Sequence, residues 1–386
     1  MKINKNYKII VLLLGFLVTI TLGLTLRLQR QLHPNIILIT VDALRADHLG
    51  CYGYQRNTSF NIDKLAKEGT IFLNCFATGP TTVHSFPGIL TGRYLGVNKE
   101  DHFFWDNLLD NKFNTLAEYL KNANYYTAAF LHNPHLKINK GFEQGFDYFS
   151  NEWKNAQRMT ASVLGFLNHY QGNKPFFIWV HYLDVHTPYT SPEEYFRVFE
   201  KDRFYKENDK ILQLYSGDSR NPFTSQGYIP KITFREDKYN LNYYIACYDA
   251  AILYTDFYIG KLLENIKGNT LIILTADHGE SLGEHNVYFA HGENIYDEVL
   301  HIPLIIKDNR YFKGGQRIAK PVSSIDIVPT ILSRINPVWY FFNKHRFDGI
   351  DLKLALHNTG SQRQYIYSYR PWGWSIRDVN KNFKYI

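Results

Sequence analysis

Five short apolar runs constrain the fold of this chain more than any other feature. Their sequences are NIILITV, YYTAAFL, FFIWV, TLIILT and PLII, and they stand at residues 35–41, 125–131, 176–180, 270–275 and 303–306. Each run is apolar at successive positions, which is typical of a strand that is buried on both faces. Because such strands need helices over both faces, the runs predict an α/β fold with a doubly wound, mostly parallel sheet.

Segments with a helical pattern separate these runs. Residues 62–67 and 115–121 read as short helices. A longer helix is predicted over residues 243–266, because one apolar stripe follows it to its end near Gly268. The alternation of strand and helix supports the doubly wound arrangement.

Two segments depart from this alternation. Residues 191–238 form a charged insertion rich in Tyr and Phe, for which a substrate lid and a mobile loop both stay open. After the segment VSSIDIVPTILSRI the pattern changes again. We therefore predict one large domain over residues 33–335 and a small C-terminal subdomain over residues 336–386.

The N-terminal segment has the pattern of a membrane anchor. Lysines precede an uncharged apolar run at residues 9–26, and Arg27 and Arg30 follow it. A helix of this length nearly spans a hydrocarbon core of ~30 Å. The run lacks a good small-x-small cleavage site, which favours an uncleaved anchor over a removed signal peptide. Residues 1–32 are thus expected to form a cytoplasmic tip and a single span, with the large domain outside the cytoplasm.

Charge and cysteine content narrow the choice of partners. The net charge is +7, but the basic residues are spread along the chain and form no block, so nucleic acid is not an expected partner. Cys51, Cys75 and Cys247 include no CxxC pair and read as small buried hydrophobes. One disulfide among them stays open.

Side chains that can bind a metal follow three of the predicted strands. In chain order they are Asp42, His181, Asp184, His186, Asp277, His278 and His291. The carboxyl ends of parallel strands meet at one edge of an open sheet, so these groups should gather there. Mixed carboxylate and imidazole ligands suit a divalent cation, with zinc, manganese, magnesium and calcium all open. Taken singly, each has an ordinary alternative, because an aspartate often caps a helix and a histidine often binds no ligand.

A hydroxyl group at Thr82 is a candidate nucleophile. Thr82 lies just before a predicted helix, in which Ser85 can cap and Pro87 is tolerated in the first turn. A helix N-terminus favours an anion, and a hydroxyl held by a cation there would lose its proton more easily. The alternative, in which Thr82 only caps the helix, stays open.

The chain resembles the sulfatase-like branch of the alkaline phosphatase superfamily from about residue 34 to its end. The resemblance is carried by segments in the family's order, among them NIILITVDALRADHLGCYGY, SFPGILTGRY, HYLDVHTPY, ADHGESLGEH and AHGENIYDEVLHIPLII. It implies the sulfatase fold and a divalent metal held by Asp42, Asp277, His278 and the oxygen of Thr82. It also implies that further histidines hold the anionic group of the substrate.

The nucleophile motif departs from that of sulfatases proper. Those enzymes carry a cysteine or serine in a C/S-x-P-x-R motif, which is oxidised to formylglycine, whereas the three positions here hold Thr82, His84 and Phe86. Threonine cannot become that aldehyde. In this respect the chain is similar to phosphoglycerol and phosphoethanolamine transferases and to phosphodiesterases of the same superfamily.

That similarity implies a metal-dependent hydrolase or transferase for phosphate or phosphodiester esters. The expected membrane anchor is compatible with a lipid or an envelope glycan as the substrate. Thr82 is the expected nucleophile, and His291 or His186 is expected to protonate the leaving oxygen. Further substrate-binding candidates are His181, Asp184, His285 and Lys99. Whether one or two metals bind stays open. The alternatives are a sulfuric ester hydrolase that uses Thr82 and a binding protein without catalytic activity.

Overall fold

A computed structural model of the protein describes residues 33–95, 109–200, 210–215, 225–356, 363–371, 373–381 and 383–386. Within these ranges the strands are β1 (Asn35–Val41), β2 (Thr70–Phe76), β3 (Tyr126–Leu131), β4 (Tyr148–Asn151), β5 (Phe176–Tyr182), β6 (Thr270–Ala276), β7 (Ser281–Leu282), β8 (Tyr288–Ala290), β9 (His301–Lys307), β10 (Gln316–Ile318), β11 (Val322–Ser323), β12 (Tyr365–Arg370), β13 (Gly373–Asp378) and β14 (Phe383–Tyr385).

The α-helices in the same ranges are α1 (Phe60–Glu68), α2 (Thr82–Thr91), α3 (Leu116–Asn122), α4 (Ala156–His169), α5 (Glu193–Glu200), α6 (Leu241–Asn265), α7 (Asp297–Leu300), α8 (Ile327–Ile335), α9 (Pro337–Asn343) and α10 (Lys353–Leu356). Short 3-10 turns lie at Ala46–His48, Gly50–Tyr52, Glu284–Asn286, Ser324–Asp326 and Lys344–Arg346.

One large sheet organises the structure. Its strand order is β10-β2-β9-β6-β1-β5-β3-β4, with β11 also paired to β2. Strand β9 runs antiparallel to β2 and β6, and the other pairs are parallel. The central strands β1, β5 and β6 are buried almost throughout, as their continuous apolar sequences predict.

Two groups of helices cover the sheet. Helices α1, α4 and α5 pack against the long helix α6, and helices α2, α3, α8 and α9 form the second group. Helix α6 contains the predicted segment 243–266 almost entirely, and the left-handed backbone of Gly268 lies just after its end. The predicted α/β fold with a mostly parallel sheet is confirmed.

The sequence pattern missed part of the sheet. Strand β2 has a register shift between Phe72 and Cys75, and the partly exposed Leu73 and Asn74 interrupt its apolar sequence. The antiparallel direction of β9 was also not predicted, because an apolar run has the same composition in either direction.

In the insertion, residues 193–200 form α5, while residues 201–209 and 216–224 lie outside the described residues, so the choice between lid and loop stays open.

The predicted C-terminal subdomain contains an antiparallel sheet of three strands, β12-β13-β14. Strand β12 docks on the segment that precedes α2. The Tyr369 N–H donates to the Thr78 carbonyl at 2.8 Å, and the Ser368 hydroxyl donates to the Ala77 carbonyl at 2.6 Å. The small sheet therefore supports the start of helix α2.

No helix within the described ranges is long and apolar enough to span a lipid bilayer. The predicted span at residues 9–26 and the cytoplasmic tip lie outside those ranges.

A buried ion pair fixes the end of β9 to helix α8, and it yields a stability prediction. Arg334 donates to the Asp308 carboxylate at 2.9 and 3.1 Å, and both side chains are almost fully buried. Asp308→Ala leaves the buried guanidinium without this charge partner, so the free energy of unfolding should fall by about 3–5 kcal/mol. Urea denaturation measures this loss.

The adjacent residue provides the matched control. Lys307 pairs with Glu68 at 2.6 Å on the surface. Lys307→Ala should therefore cost about 1 kcal/mol or less. Equal losses in the two variants would contradict the account.

Candidate functional site

Neighbouring strands deliver the side chains of the site to one edge of the sheet. Strands β5 and β6 flank β1 on its two sides. Asp42 directly follows β1, Asp277 directly follows β6, and His181 is the second-last residue of β5. The structure thus brings these three predicted site residues together at the carboxyl ends of parallel strands.

Three ligand atoms converge at this edge. His278 Nε2 lies 3.5 Å from Asp42 Oδ1 and 3.5 Å from Asp277 Oδ2. All three side chains are fully buried, and none of these atoms has a hydrogen-bond partner among the described residues. Buried polar atoms are nearly always partnered, so three orphans that face one another need an explanation. A cation bound between them would satisfy all three, and the carboxylate and imidazole donors fit a divalent metal.

The electrostatics of the two carboxylates differ. Burial acts to raise the pKa of Asp42, but the facing histidines, led by His186, outweigh it and hold that pKa well below its usual range. Burial and the nearby Asp42 charge raise the pKa of Asp277. Burial and the neighbouring His291 lower the pKa of His278, which favours the neutral imidazole that a metal requires.

A tight turn follows Asp277 and His278. A Cβ atom at position 279 would lie 2.2 Å from the Glu298 carbonyl oxygen, so only glycine fits there. The His278 Nδ1 lies 2.9 Å from the Gly279 carbonyl. This contact fixes the ring and directs Nε2 towards the two carboxylates.

The hydroxyl of Thr82 lies beside the cluster. Thr82 Oγ1 donates to Asp42 Oδ2 at 3.4 Å. Thr82 is the first residue of α2, and Thr81 occupies the N-cap position. Thr82 therefore lies at the positive end of the helix, within contact distance of a cluster carboxylate, and is not the cap itself.

Asn133 was not predicted from the sequence. Its Nδ2 donates to Asp42 Oδ2 at 2.7 Å and to Thr82 Oγ1 at 3.3 Å. Because Asn133 follows strand β3 by two residues, the rule about strand ends could have found it. An amide was not predicted there, because carboxylates and imidazoles are the more usual ligands of a divalent metal.

A group of histidines forms one wall of the site. The ring of His291 lies 4.3 Å from that of His278 and 4.8 Å from that of His186, between centroids. Nδ1 of His291 is 3.1 Å from Oε1 of Glu280, a fully buried acid that was also missed. Burial acts to lower the pKa of His291, but Glu280 outweighs it, so that pKa is raised.

The remaining predicted residues differ in what they contact. Buried His181 lies with Nε2 3.2 Å from Asp42 Oδ2 and Nδ1 3.0 Å from Thr40 Oγ1, so it positions Asp42.

Asp184 Oδ1 accepts the N–H of Ala156 at 3.0 Å, at the start of α4. His285 has Nδ1 2.9 Å from Glu298 Oε1 and stacks on Tyr296. Lys99 lies outside the described residues.

Comparisons with known proteins identify the family of the chain. Residues 34–336 match the protein family described as Sulfatase. Similar curated proteins include the uncharacterized sulfatase YidJ of Escherichia coli, 26% identical over 355 residues, with 78% of this chain and 67% of that protein covered. The N-acetylglucosamine-6-O-sulfatase of Bacteroides thetaiotaomicron is 25% identical over 382 residues, with coverages of 78% and 67%.

Solved structures share the fold. One is a chain in complex with its substrate D-glucosamine-2-N,6-O-disulfate, with a TM-score of 0.68, 22% identity and coverages of 90% of this chain and 87% of that chain. Another is the phosphonate monoester hydrolase of Agrobacterium radiobacter, with a TM-score of 0.66, 20% identity and coverages of 90% and 82%.

The converging atoms predict cation-dependent stability. After treatment with a chelator, addition of Ca²⁺, Mg²⁺, Mn²⁺ or Zn²⁺ should raise Tm, with about 2.7 kcal/mol of stabilisation when the cation is at a hundred times its Kd. Asp277→Asn removes one charged ligand and should abolish most of this rise. Asp184→Asn is the control, since Asp184 bonds to helix α4, and it should keep the rise. An equal rise in wild type and Asp277→Asn would contradict a cation site here.

Asp184 also predicts a pH dependence. Burial raises its pKa from an ordinary value of 3.8 to about 6. The folded state therefore holds this proton more tightly than the unfolded state. The resulting stability is present below pH ~4 and is lost as the pH rises through about 6. Relative to Asp184→Asn, wild type should lose about 2–3 kcal/mol of unfolding free energy between pH 4 and 7. Urea denaturation of both proteins across this pH range measures the loss. A difference in unfolding free energy that stays constant with pH would argue against a raised pKa of Asp184.

Proposed function

The chain belongs to the sulfatase family, and we propose that it is a metal-dependent hydrolase or transferase that cleaves phosphate or phosphodiester esters with Thr82 as nucleophile. The observation that carries the proposal is the position of the Thr82 hydroxyl, 3.4 Å from Asp42 Oδ2 and at the start of α2. It adjoins three buried ligand atoms that have no partner among the described residues.

Asp42, Asp277 and His278 would hold the divalent cation, whose identity among zinc, manganese, magnesium and calcium stays open. When bound, the cation lowers the pKa of a nearby hydroxyl and offsets the negative charge of the ester. The orphaned atoms Asp42 Oδ1, Asp277 Oδ2 and His278 Nε2 support this assignment.

The residues around Thr82 orient its oxygen. Asn133 donates to Thr82 Oγ1, and the threonine hydroxyl donates to Asp42 Oδ2. Asn133 therefore holds the oxygen from one side while the proton points towards a carboxylate. The N-terminus of α2 favours the anionic group of the substrate at the same place.

The proposed reaction has two steps. The Thr82 hydroxyl loses its proton to solvent, and a bond forms between Thr82 Oγ1 and phosphorus as the bond to the leaving oxygen breaks; His291 gives that oxygen a proton. Water or an acceptor hydroxyl then attacks phosphorus and gives its proton to His291 as the bond to Thr82 Oγ1 breaks, which restores the starting state of both residues. The Glu280 contact that raises the pKa of His291 suits the role of an acid, and His186 is the adjacent second candidate.

The chemistry of threonine favours phosphorus. Threonine carries a single oxygen on Cβ, so its ester is released only by attack on the transferred group. Phosphoryl centres undergo such in-line displacement twice in succession, with electrostatic stabilisation of the equatorial oxygens at each step. An aldehyde hydrate, on which sulfatases proper rely, cannot form from Thr82.

Hydrolysis of a sulfate ester is the second candidate. It is supported by the names of the curated relatives, which include iduronate 2-sulfatase of Homo sapiens and the N-acetylglucosamine-6-O-sulfatase. In that case Thr82 attacks sulfur, and a sulfated glycan is the substrate.

The proposed location follows from the sequence. We propose that residues 9–26 anchor the protein as a single span, with residues 33–386 outside the cytoplasm. The support is an uncharged apolar run with basic residues on both sides.

A substrate panel separates the two activities. The purified full-length protein, supplied with each divalent cation, is assayed on an aryl phosphodiester, an aryl phosphonate monoester and an aryl sulfate. We expect kcat/KM on the phosphodiester to exceed that on the sulfate by about a hundredfold or more. The reason is that the threonine ester can be released only by attack on its phosphorus or sulfur atom. A preference for the sulfate would instead establish the second candidate.

Substitution of the nucleophile tests its role. Thr82→Ala should lower kcat on the order of a thousandfold or more, because it removes the oxygen that forms the covalent bond in the proposed reaction. Thr82→Ser keeps the hydroxyl and should retain measurable turnover, and Thr81→Ala at the N-cap is the matched control. Unchanged turnover in Thr82→Ala would argue against the nucleophile, and a complete lack of activity in the wild type would favour a non-catalytic binding protein.

A further inference from the structure

Helix α9 presents an apolar face to solvent. Val338, Phe341 and Phe342 are 66%, 63% and 69% exposed. Their spacing of three and four residues places them on the same side of the helix. Large apolar side chains scattered singly over a surface are ordinary, but three on one face of a single short helix form a contact surface.

The opposite face of α9 is held firmly. Trp339 packs on Tyr119 with ring centroids 5.5 Å apart, and Tyr340 packs on Phe347 at 6.3 Å. The side chain of Asn336 caps the helix by accepting the Trp339 N–H at 3.0 Å. The exposed face is therefore presented in a fixed orientation.

Basic residues border the apolar face. Lys344, His345 and Arg346 follow α9 directly, and all three are exposed. The Lys344 ammonium lies 5.5 Å from the centroid of the Phe341 ring. Residues 337–346 contain no acidic residue. Aromatic side chains next to Lys and Arg are the combination found where proteins contact the interface of a bilayer with anionic lipids.

The position of α9 relative to the start of the described chain is the second observation. A cavity of 270 Å³ beside α9 is lined by Trp339, Arg346 and Ala123. Ala123 also lines a second cavity, of 780 Å³, together with His33 and Asn35. Helix α9 thus lies close to the point where the chain arrives from the apolar run at residues 9–26.

We propose that Val338, Phe341 and Phe342, with Lys344 and Arg346, form a docking face that binds the surface of an anionic bilayer. The proposal rests on the proposed anchoring of residues 9–26, which would bring the amino ends of the strands to the membrane. The three apolar side chains enter the boundary between headgroups and acyl chains, and the two cations contact lipid phosphates.

This arrangement orients the catalytic site. Strand β1 runs for seven residues from Asn35, at the amino edge, to the residue before Asp42, a length of about 20 Å. The metal ligands therefore lie on the edge that faces away from the bilayer. The substrate ester then reaches the site from the aqueous side, as a glycan or another long molecule would, rather than from the leaflet on which α9 rests.

Lipid photolabelling of the full-length protein tests the docking face. The protein is reconstituted in phosphatidylcholine vesicles with added phosphatidylglycerol and a photoactivatable lipid, and labelled peptides are identified by mass spectrometry. We expect labelling within residues 337–346 in addition to residues 9–26. Strand β14 is the control surface, because its Phe383 and Tyr385 are 62% and 63% exposed and should stay unlabelled.

Two sets of variants define the contact. Phe341→Ser with Phe342→Ser should lower labelling of residues 337–346 by roughly fivefold or more and leave residues 9–26 unchanged. Phe383→Ser with Tyr385→Ser should change neither. Lys344→Glu with Arg346→Glu, which leaves the packed face of α9 intact, should remove the increase in labelling that phosphatidylglycerol gives over phosphatidylcholine alone. Thermal unfolding verifies that each variant is folded.

The outcomes separate this proposal from the others. Labelling of residues 9–26 without residues 337–346 would overturn the docking face and leave the anchor standing. Labelling of residues 337–346 without residues 9–26 would support the face and refute the anchor. Equal labelling of residues 337–346 and 383–386, or no dependence on phosphatidylglycerol, would also overturn the proposal. None of these results depends on whether Thr82 is catalytic.

Discussion

The structure depends on two fully buried carboxylates, those of Asp42 and Asp277, placed beside one imidazole at the edge of the central sheet. Burial of like charges is costly, and it raises the pKa of Asp277 because Asp42 stays ionised. The atoms of the two carboxylates and His278 that face one another have no partner among the described residues. A divalent cation would resolve both the charge and the missing contacts, which is why the proposed chemistry is assigned to this point.

The other residues of the site contact this cluster directly or through one neighbouring side chain. Asp42 Oδ2 accepts hydrogen bonds from Asn133 and Thr82, and His181 Nε2 lies 3.2 Å from the same oxygen. Glu280 Oε1 lies 3.1 Å from His291 Nδ1, and the His291 ring lies 4.3 Å from the His278 ring, between centroids. In the proposed mechanism, Thr82 and His291 therefore adjoin different members of the cluster, Asp42 and His278. The docking of β12 on the segment before α2 ties the small C-terminal sheet to the same helix.

The sequence predicted the parts of this arrangement that follow from local pattern. Continuous apolar runs identified β1, β5 and β6, and the rule about strand ends brought Asp42 and Asp277 together. It did not give the surroundings of Asp184 or His285, because the local pattern does not show that Asp184 contacts the Ala156 N–H at the start of α4 or that His285 contacts Glu298. Asn133 follows a strand end but was missed because an amide was not considered there, and Glu280 was missed because its role comes from its contact with His291. The domain boundaries and the membrane span stay predictions.

The central claim is that Thr82 forms a covalent bond with the group it transfers. The most direct measurement is acid quenching of the full-length protein during turnover of a phosphodiester with the divalent cation present, followed by mass spectrometry of the peptide that contains Thr82. We expect phosphate on the Thr82 side chain, with the modification absent from protein quenched without substrate. Turnover with an unmodified Thr82 and phosphate on another side chain would contradict it.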